Sequence, residues 1–221
     1  MKYIEYAHYD IASNERETKT LVQEAAQFQP DTISVLPTYL RSIKNVCGDV
    51  TSLSTIIDFP YGIMDLKNRL SAVETAIKNG ANIIEIVAPS FFLCNRKYDK
   101  FREDIDKTLD ICTKNNVELR YVLEYRIFTL DLMYKASQIL SVHGINVLYP
   151  SSGHSLDNLS DNILACGLIS KKIDKIQFIC NGNTWNDTHA ELLHKNDQIY
   201  GIKCHTLNGL NLIKTFIFNN G

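Results

Sequence analysis

Short apolar runs alternate with longer stretches of helical periodicity eight times along this chain of 221 residues, and that rhythm leaves few folds open. Strand readings fall at Tyr3–Ala7, Thr32–Leu36, Leu53–Phe59, Asn82–Val87 and Val117–Leu123, then from Ile145 to Tyr149, and at Lys175–Cys180 and Ile199–Cys204. Helical readings fall between and after them, at Asn14–Phe28, Tyr39–Asn45, Asp65–Lys78, Tyr98–Lys114, Leu130–Val142, Leu156–Ile169, Asn186–His194 and Leu210–Phe218. Ser13 or Asn14 suits an N-cap, and Asn79-Gly80 a C-cap. Strict alternation of this kind implies a parallel sheet covered by helices. Eight units predict a closed (β/α)8 TIM barrel, α/β in class, with residues 1–221 as one domain near the lower end of the barrel size range. An open doubly wound sheet is the alternative, but no G-x-G-x-x-G follows the first strand.

Composition closes off several function classes. Net charge is −2 without any basic block, so nucleic acid is not an expected partner. No apolar run reaches the ~18 residues of a membrane span, and the opening Met1-Lys2-Tyr3-Ile4-Glu5-Tyr6 lacks the pattern of a signal peptide. The six cysteines are scattered singly with no C-x-x-C pair. That argues against zinc and for reduced thiols in a cytoplasmic protein. No metal or cofactor is expected.

In a barrel of this type the chemistry gathers at the carboxyl ends of the strands. Reading those ends in turn gives Glu5, Ser34, Asp58, Glu85, Glu124, Tyr149, Asn181, Lys203 and His205. Glu85 interrupts the apolar run Ile83-Ile84-Glu85-Ile86-Val87, so its carboxylate must face a polar cavity or a cation. A salt bridge inside the barrel satisfies the same requirement, and Glu124 carries the same two readings. Lys203 can form a Schiff base or hold a phosphate, or else reach outward to solvent. The histidines form no convincing metal set, for there is no H-x-H and no H-E-x-x-H. The turn Ser151-Ser152-Gly153-His154-Ser155 has the composition of an anion-holding strand-to-helix turn. An ordinary β-α turn reads the same way.

Several segments resemble the deoxyribose-phosphate aldolase family, in register along nearly the whole chain. Lys2-Tyr3-Ile4-Glu5 is similar to that family's opening strand, with Glu5 where an aspartate is usual, and Val35-Leu36-Pro37-Thr38-Tyr39 to its second strand and proline turn. The most specific match is Phe59-Pro60-Tyr61-Gly62, together with the helix and strand that run from Glu74 to Val87. The resemblance puts Glu85 at the position of the acid that assists proton transfer. It also shows where the chain departs. The family's imine-forming lysine, before Thr-Ser-Thr-Gly, is matched by Tyr149 in Tyr149-Pro150-Ser151-Ser152-Gly153, and its second lysine by Phe178. A Schiff base needs an amine, and neither aromatic ring supplies one.

What the resemblance implies is therefore an aldolase-like protein with a sugar-phosphate-type pocket, its imine-forming lysine absent and its aldolase activity lost or altered. One alternative is an active lyase or isomerase on a small phosphorylated sugar or aldehyde, using Lys203 or the Glu85/Tyr149 pair as the reacting groups. A second is a purely structural barrel. The expected catalytic positions are Glu85, Tyr149 and Lys203, and the expected ligand-binding positions Glu5, Glu124, Ser151, Ser152, Gly153, Asn181, Gly182 and His205. The expected partner is a small phosphorylated ligand, and a homo-oligomer is compatible with the resemblance.

Overall fold

The computed structural model describes residues 3–47, 51–154 and 158–220. Lys2 of the opening segment, Ser155 of the small-residue turn, and the first two residues of the helix read from Leu156 lie outside them. Eight strands pair in parallel, each with the next and the last with the first: β1 Tyr3–His8, β2 Thr32–Val35, β3 Ser52–Ile57, β4 Ile83–Val87, β5 Glu118–Val122, β6 Val147–Tyr149, β7 Gln177–Asn181 and β8 Ile199–Cys204. This is the closed (β/α)8 barrel that the alternation predicts.

The helices follow from local signals. α1 (Glu15–Gln27) begins with a capping box in which Asn14 accepts from the Glu17 amide and Glu17 accepts from the Asn14 amide. α3 (Leu66–Lys78) is capped by Asp65, α6 (Leu130–Val142) by Thr129, α7 (Leu159–Ser170) by Asn158 and α8 (Asp187–His194) by Asn186. The remaining helices are α2 (Leu40–Ile43), α4 (Ser90–Cys94), α5 (Tyr98–Lys114) and α9 (Leu207–Asn220). α4 has no counterpart in the sequence reading; five residues are too few to show a helical period.

Strand alternation divides the apolar residues into two cores. Ile84, Ile86, Tyr121, Leu148, Phe178 and Cys180 face the helices and belong to the outer core. Tyr3, Ile56, Val87, Val122, Tyr149 and Ile179 form a smaller core inside the barrel. One expectation is corrected here. Phe178 does not occupy an inward, lysine-like position, because a one-residue difference in register reverses the face of a strand. The inward residues of β7 are Ile179 and Asn181.

Between the barrel and α3, Arg69 is fully buried and bridges two carboxylates. It donates to Asp58 and, at 2.8 Å, to Asp104 of α5. Asp58 in turn accepts from the amides of Ile63 and Met64 at 3.0 and 3.1 Å. The turn after β3 is thereby tied to two helices, and Phe59 is set at the barrel mouth. Gly62 within it has φ +62°, and a Cβ there would lie 2.2 Å from the Ala88 carbonyl oxygen. Only glycine fits that close approach.

Candidate functional site

Inside the barrel three ionisable side chains from three strands meet. Lys203 of β8 donates to Glu85 of β4, lies 2.8 Å from Glu5 Oε1 of β1, and donates to the Tyr9 hydroxyl at 3.0 Å. All three groups are buried, and Lys203 is the sole buried lysine among the described residues. Glu85 also accepts from Ser34 at 2.9 Å and Ser54 at 2.5 Å. Burial works against its charge, but the Lys203 ammonium and the surrounding hydrogen bonds outweigh it and hold the carboxyl down at about 2. Burial and the neighbouring Glu85 charge push Glu5 the other way, up to about 8. At neutral pH one carboxyl is therefore ionised and the other protonated.

Tyr149 and Arg120 complete the cluster. The Tyr149 hydroxyl donates to Glu5 Oε2 at 2.7 Å and accepts from Arg120 Nη1 at 3.0 Å. The same Arg120 nitrogen donates to Tyr3 at 2.9 Å, while the rest of the guanidinium forks onto the Glu118 carboxylate at 2.7 and 3.0 Å. Burial, and then the charges of Glu5 and Glu85, hold the Tyr149 phenol well above its ordinary value, so it remains a phenol. Its ring faces the Lys203 ammonium, 4.1 Å from the centroid.

Above this layer a cavity of about 560 Å³ opens at the carboxyl ends of the strands. Tyr9 and Phe59 wall one side, Ser152, Gly153 and His154 another, and Gly182, Asn183 and Trp185 a third. His205 lies between Tyr9 and the last strands. Its Nε2 contacts Asn181 Oδ1, since Asn181 Nδ2 already donates to the Ser151 carbonyl at 2.8 Å. That arrangement makes His205 Nε2 the donor. Burial and then the Lys203 charge lower its pKa to about 4, so the ring is neutral at pH 7.

The residues expected from sequence thus separate into two levels. Ser152, Gly153, Gly182 and His205 line the open cavity. Glu5, Glu85, Tyr149 and Lys203 are packed in the closed interior beneath it, where Tyr149 touches Glu5 rather than Glu85. Lys203 does not reach solvent between helices. Glu124, at the end of β5, accepts from the Ser152 amide at 2.7 Å, and Ser151 meets Asn181 through its carbonyl. Glu85 and Tyr149, expected as catalytic positions, do not line the open cavity, because Lys203 and Glu5 hold them inward, and Glu124, expected to bind ligand, is taken by the Ser152 amide. Asp58 turns away to Arg69.

Arg120, Tyr9 and Ser54 are absent from the sequence reading. Arg120 carried a usable signal, since it interrupts a buried strand as Glu85 does and shares the inward parity of Val122. Tyr9 lies one residue beyond β1 and carried none. Among the described residues, no group of three or more histidine, cysteine, aspartate or glutamate side chains is placed to hold a metal ion.

Comparison with known proteins agrees with the geometry. No protein-family model matches the chain. The deoxyribose-phosphate aldolase of Staphylococcus carnosus is 26% identical over 153 residues, covering 69% of each chain. That of Finegoldia magna is 27% identical over 155 residues, covering 70% of this chain and 72% of the relative. The curated relatives are deoxyribose-phosphate aldolases, and it is to that family that this chain is similar. The low identity marks this chain as a diverged relative of those aldolases. Solved structures show the fold they share. An aldolase designated QR15 superposes with a TM-score of 0.84 at 16% identity, over 99% of this chain and 96% of its own. A tetrameric deoxyribose phosphate aldolase from Aeropyrum pernix gives 0.78 at 16% identity, over 97% and 89%. Among the described residues no helix is long and apolar enough to cross a membrane.

Proposed function

We propose that this chain is an aldolase-like binding protein, which keeps the barrel and a small-ligand pocket derived from a sugar-phosphate site but has lost the imine route. The observation that carries this reading is the environment of Lys203. It is the one buried lysine among the described residues, and it is held by Glu85, Glu5 and Tyr9 beneath the cavity floor. An amine attacks a carbonyl only when neutral and within reach, and two flanking carboxyl groups with no access to the cavity oppose both conditions. Tyr149, at the position the resemblance gives to the imine-forming lysine, is a phenol engaged at both of its hydrogen-bonding functions.

A second reading, an active lyase or isomerase that uses Lys203, draws on one contact. Tyr9 bridges Lys203 to the cavity, so a shift of Tyr9 would open a path to the amine. The Glu85/Tyr149 version of that reading has no such contact in its favour. Borohydride reduction in the presence of small aldehydes and their phosphates, read by mass spectrometry, separates the two readings. The expected result is no reduced adduct and no cleavage of 2-deoxyribose 5-phosphate. An adduct mapped to Lys203, with turnover, would replace the first reading with the second. A cytoplasmic location with reduced cysteines belongs to the same reading, and light scattering tests whether the chain forms a homo-oligomer.

A further inference from the structure

We infer that the mouth of the barrel accepts an uncharged polyhydroxy ligand, a free sugar or polyol, in preference to its phosphate ester. This rests on the reading of the mouth as a small-ligand pocket and narrows the chemistry it takes.

The first ground is charge. Among the described residues no lysine or arginine lines the cavity, and its one carboxylate, Asp10, adds negative charge. Three histidines line it, and two of them are held neutral at pH 7. Burial lowers His8, as it does His205. The nearest ammonium, Lys203, is neutralised by Glu85 below the floor. A phosphate dianion entering here would give up its hydration without a countercharge.

The second ground is the amide groups. The turn after β6 is where sequence alone suggests an anion cradle, and the turn after β7 lines the same cavity. The Ser152 amide is taken by the Glu124 carboxylate at 2.7 Å, so an anion of the protein's own occupies that donor. The Gly182 amide is directed at the Lys203 carbonyl at 3.3 Å. The His154 amide is directed at Ser152 Oγ, also at 3.3 Å.

The third ground is what the cavity leaves unmet. His8 and Asn183 line the cavity, and His8 Nε2 and Asn183 Oδ1, both buried, have no hydrogen-bond partner, so a turn of either side chain brings an unpaired group to a ligand. A carbonyl oxygen can only accept, so Asn183 asks for a hydroxyl or N–H donor, which a phosphate oxygen is not. His205, with Nε2 as the donor to Asn181, presents its other nitrogen as an acceptor. Around these groups the walls are rings. Tyr9 and Phe59 lie 5.5 Å apart, and Phe59 and His154 5.4 Å apart edge to face. Trp185 stands 67% exposed at the rim. Acceptors set among aromatic faces suit hydroxyls on an apolar carbon skeleton.

Trp185 is the only tryptophan in the chain and lines the cavity, so its emission reports occupancy directly. The experiment titrates the protein with matched pairs: 2-deoxyribose, ribose and glyceraldehyde, each against its own phosphate ester, with inorganic phosphate alone. The expected result is saturable quenching by at least one free sugar, with an affinity ten-fold or more above that of its ester and little change with salt. Asn183→Leu is expected to lower that affinity at least five-fold without altering the melting temperature. Equal or tighter binding of the esters would overturn the inference and leave the pocket standing. Quenching by no compound of either kind would remove the pocket and the inference with it.

Discussion

The Lys203 ammonium lies 4.1 Å from the centre of the Tyr149 ring, and both side chains converge on Glu5, from β8 and β6. Tyr149, which the resemblance sets at the imine-forming position, is thus packed against the one lysine buried among the described residues. Removing that amine should be costly. Lys203→Met leaves Glu85 and Glu5 without their cation, and the expected loss of stability is about 3–5 kcal/mol, measured by urea unfolding. The double variant Lys203→Met/Glu85→Gln is expected to recover a large part of it. If the single variant unfolds at the wild-type midpoint, the ion pair is not stabilising the barrel.

Glu5 gives the protein a pH signature. Its folded pKa is raised from the ordinary 4.5 to about 8, so between those values the native state holds a proton that the unfolded chain has released. Stability is therefore full below about pH 4.5 as far as this group is concerned, and falls as pH rises through 8. The slope is at most about 1.4 kcal/mol per pH unit. Glu85 acts with the opposite sign. Its carboxyl is held at about 2, so its contribution is present above 4.5 and is lost as pH falls towards 2. Between about pH 6.5 and 8, above the range where the depressed His205 adds a rise of the opposite sign, urea midpoints are expected to decline in the wild type and to flatten in Glu5→Gln. A flat wild-type profile would contradict the assignment.

Tyr149→Phe tests the link between Glu5 and Arg120. It removes the hydroxyl that donates to one and accepts from the other, with an expected cost of about 1–3 kcal/mol. Tyr149→Lys is a harsher change. The new ammonium would stand beside Lys203 and Arg120, and like charges lower a lysine pKa. The expected outcome is a destabilised protein with, at most, traces of borohydride-trapped adduct at position 149, because the site remains under the cavity floor. Adduct formation in high yield, read by peptide mapping, would show that the floor opens.

The turn after β3 offers an independent check. Arg69→Leu strips two buried carboxylates of their partner and is expected to cost about 3–5 kcal/mol. Gly62→Ala forces a Cβ against the Ala88 carbonyl at a positive φ and should also unfold the protein at lower urea. Near-wild-type stability in either variant would mean that the turn is held by something else.

Much of the barrel was legible because buried parallel strands read as unbroken apolar runs. The spans of α5, α6 and β8 are those expected from periodicity, and Glu85 stood out as a charge within such a run. What sequence could not supply was inward against outward parity. β7 offers Phe178, Ile179 and Cys180 in succession, all apolar, so nothing in its pattern tells which one enters the barrel. Depth was equally hidden. Lys203 and His205 are two residues apart on one face, yet the first is sealed in the interior and the second lines the cavity, because Tyr9 crosses between them. Arg120 was missed although its strand carries the same kind of interruption as that of Glu85.

The charged layer inside the barrel also bears on how such a scaffold can change. Each member answers to others on different strands: Lys203 to Glu85 and Glu5, Glu5 to Tyr149, Tyr149 to Arg120, Arg120 to Glu118. Coupled groups of this kind do not respond additively when altered one at a time. An engineer who wants carbon–carbon lyase chemistry from this barrel must therefore exchange the set together, since each single replacement leaves a buried charge or hydrogen-bonding group without its partner. The interior works as a ratchet: the steps that interlocked these side chains cannot be retraced one residue at a time.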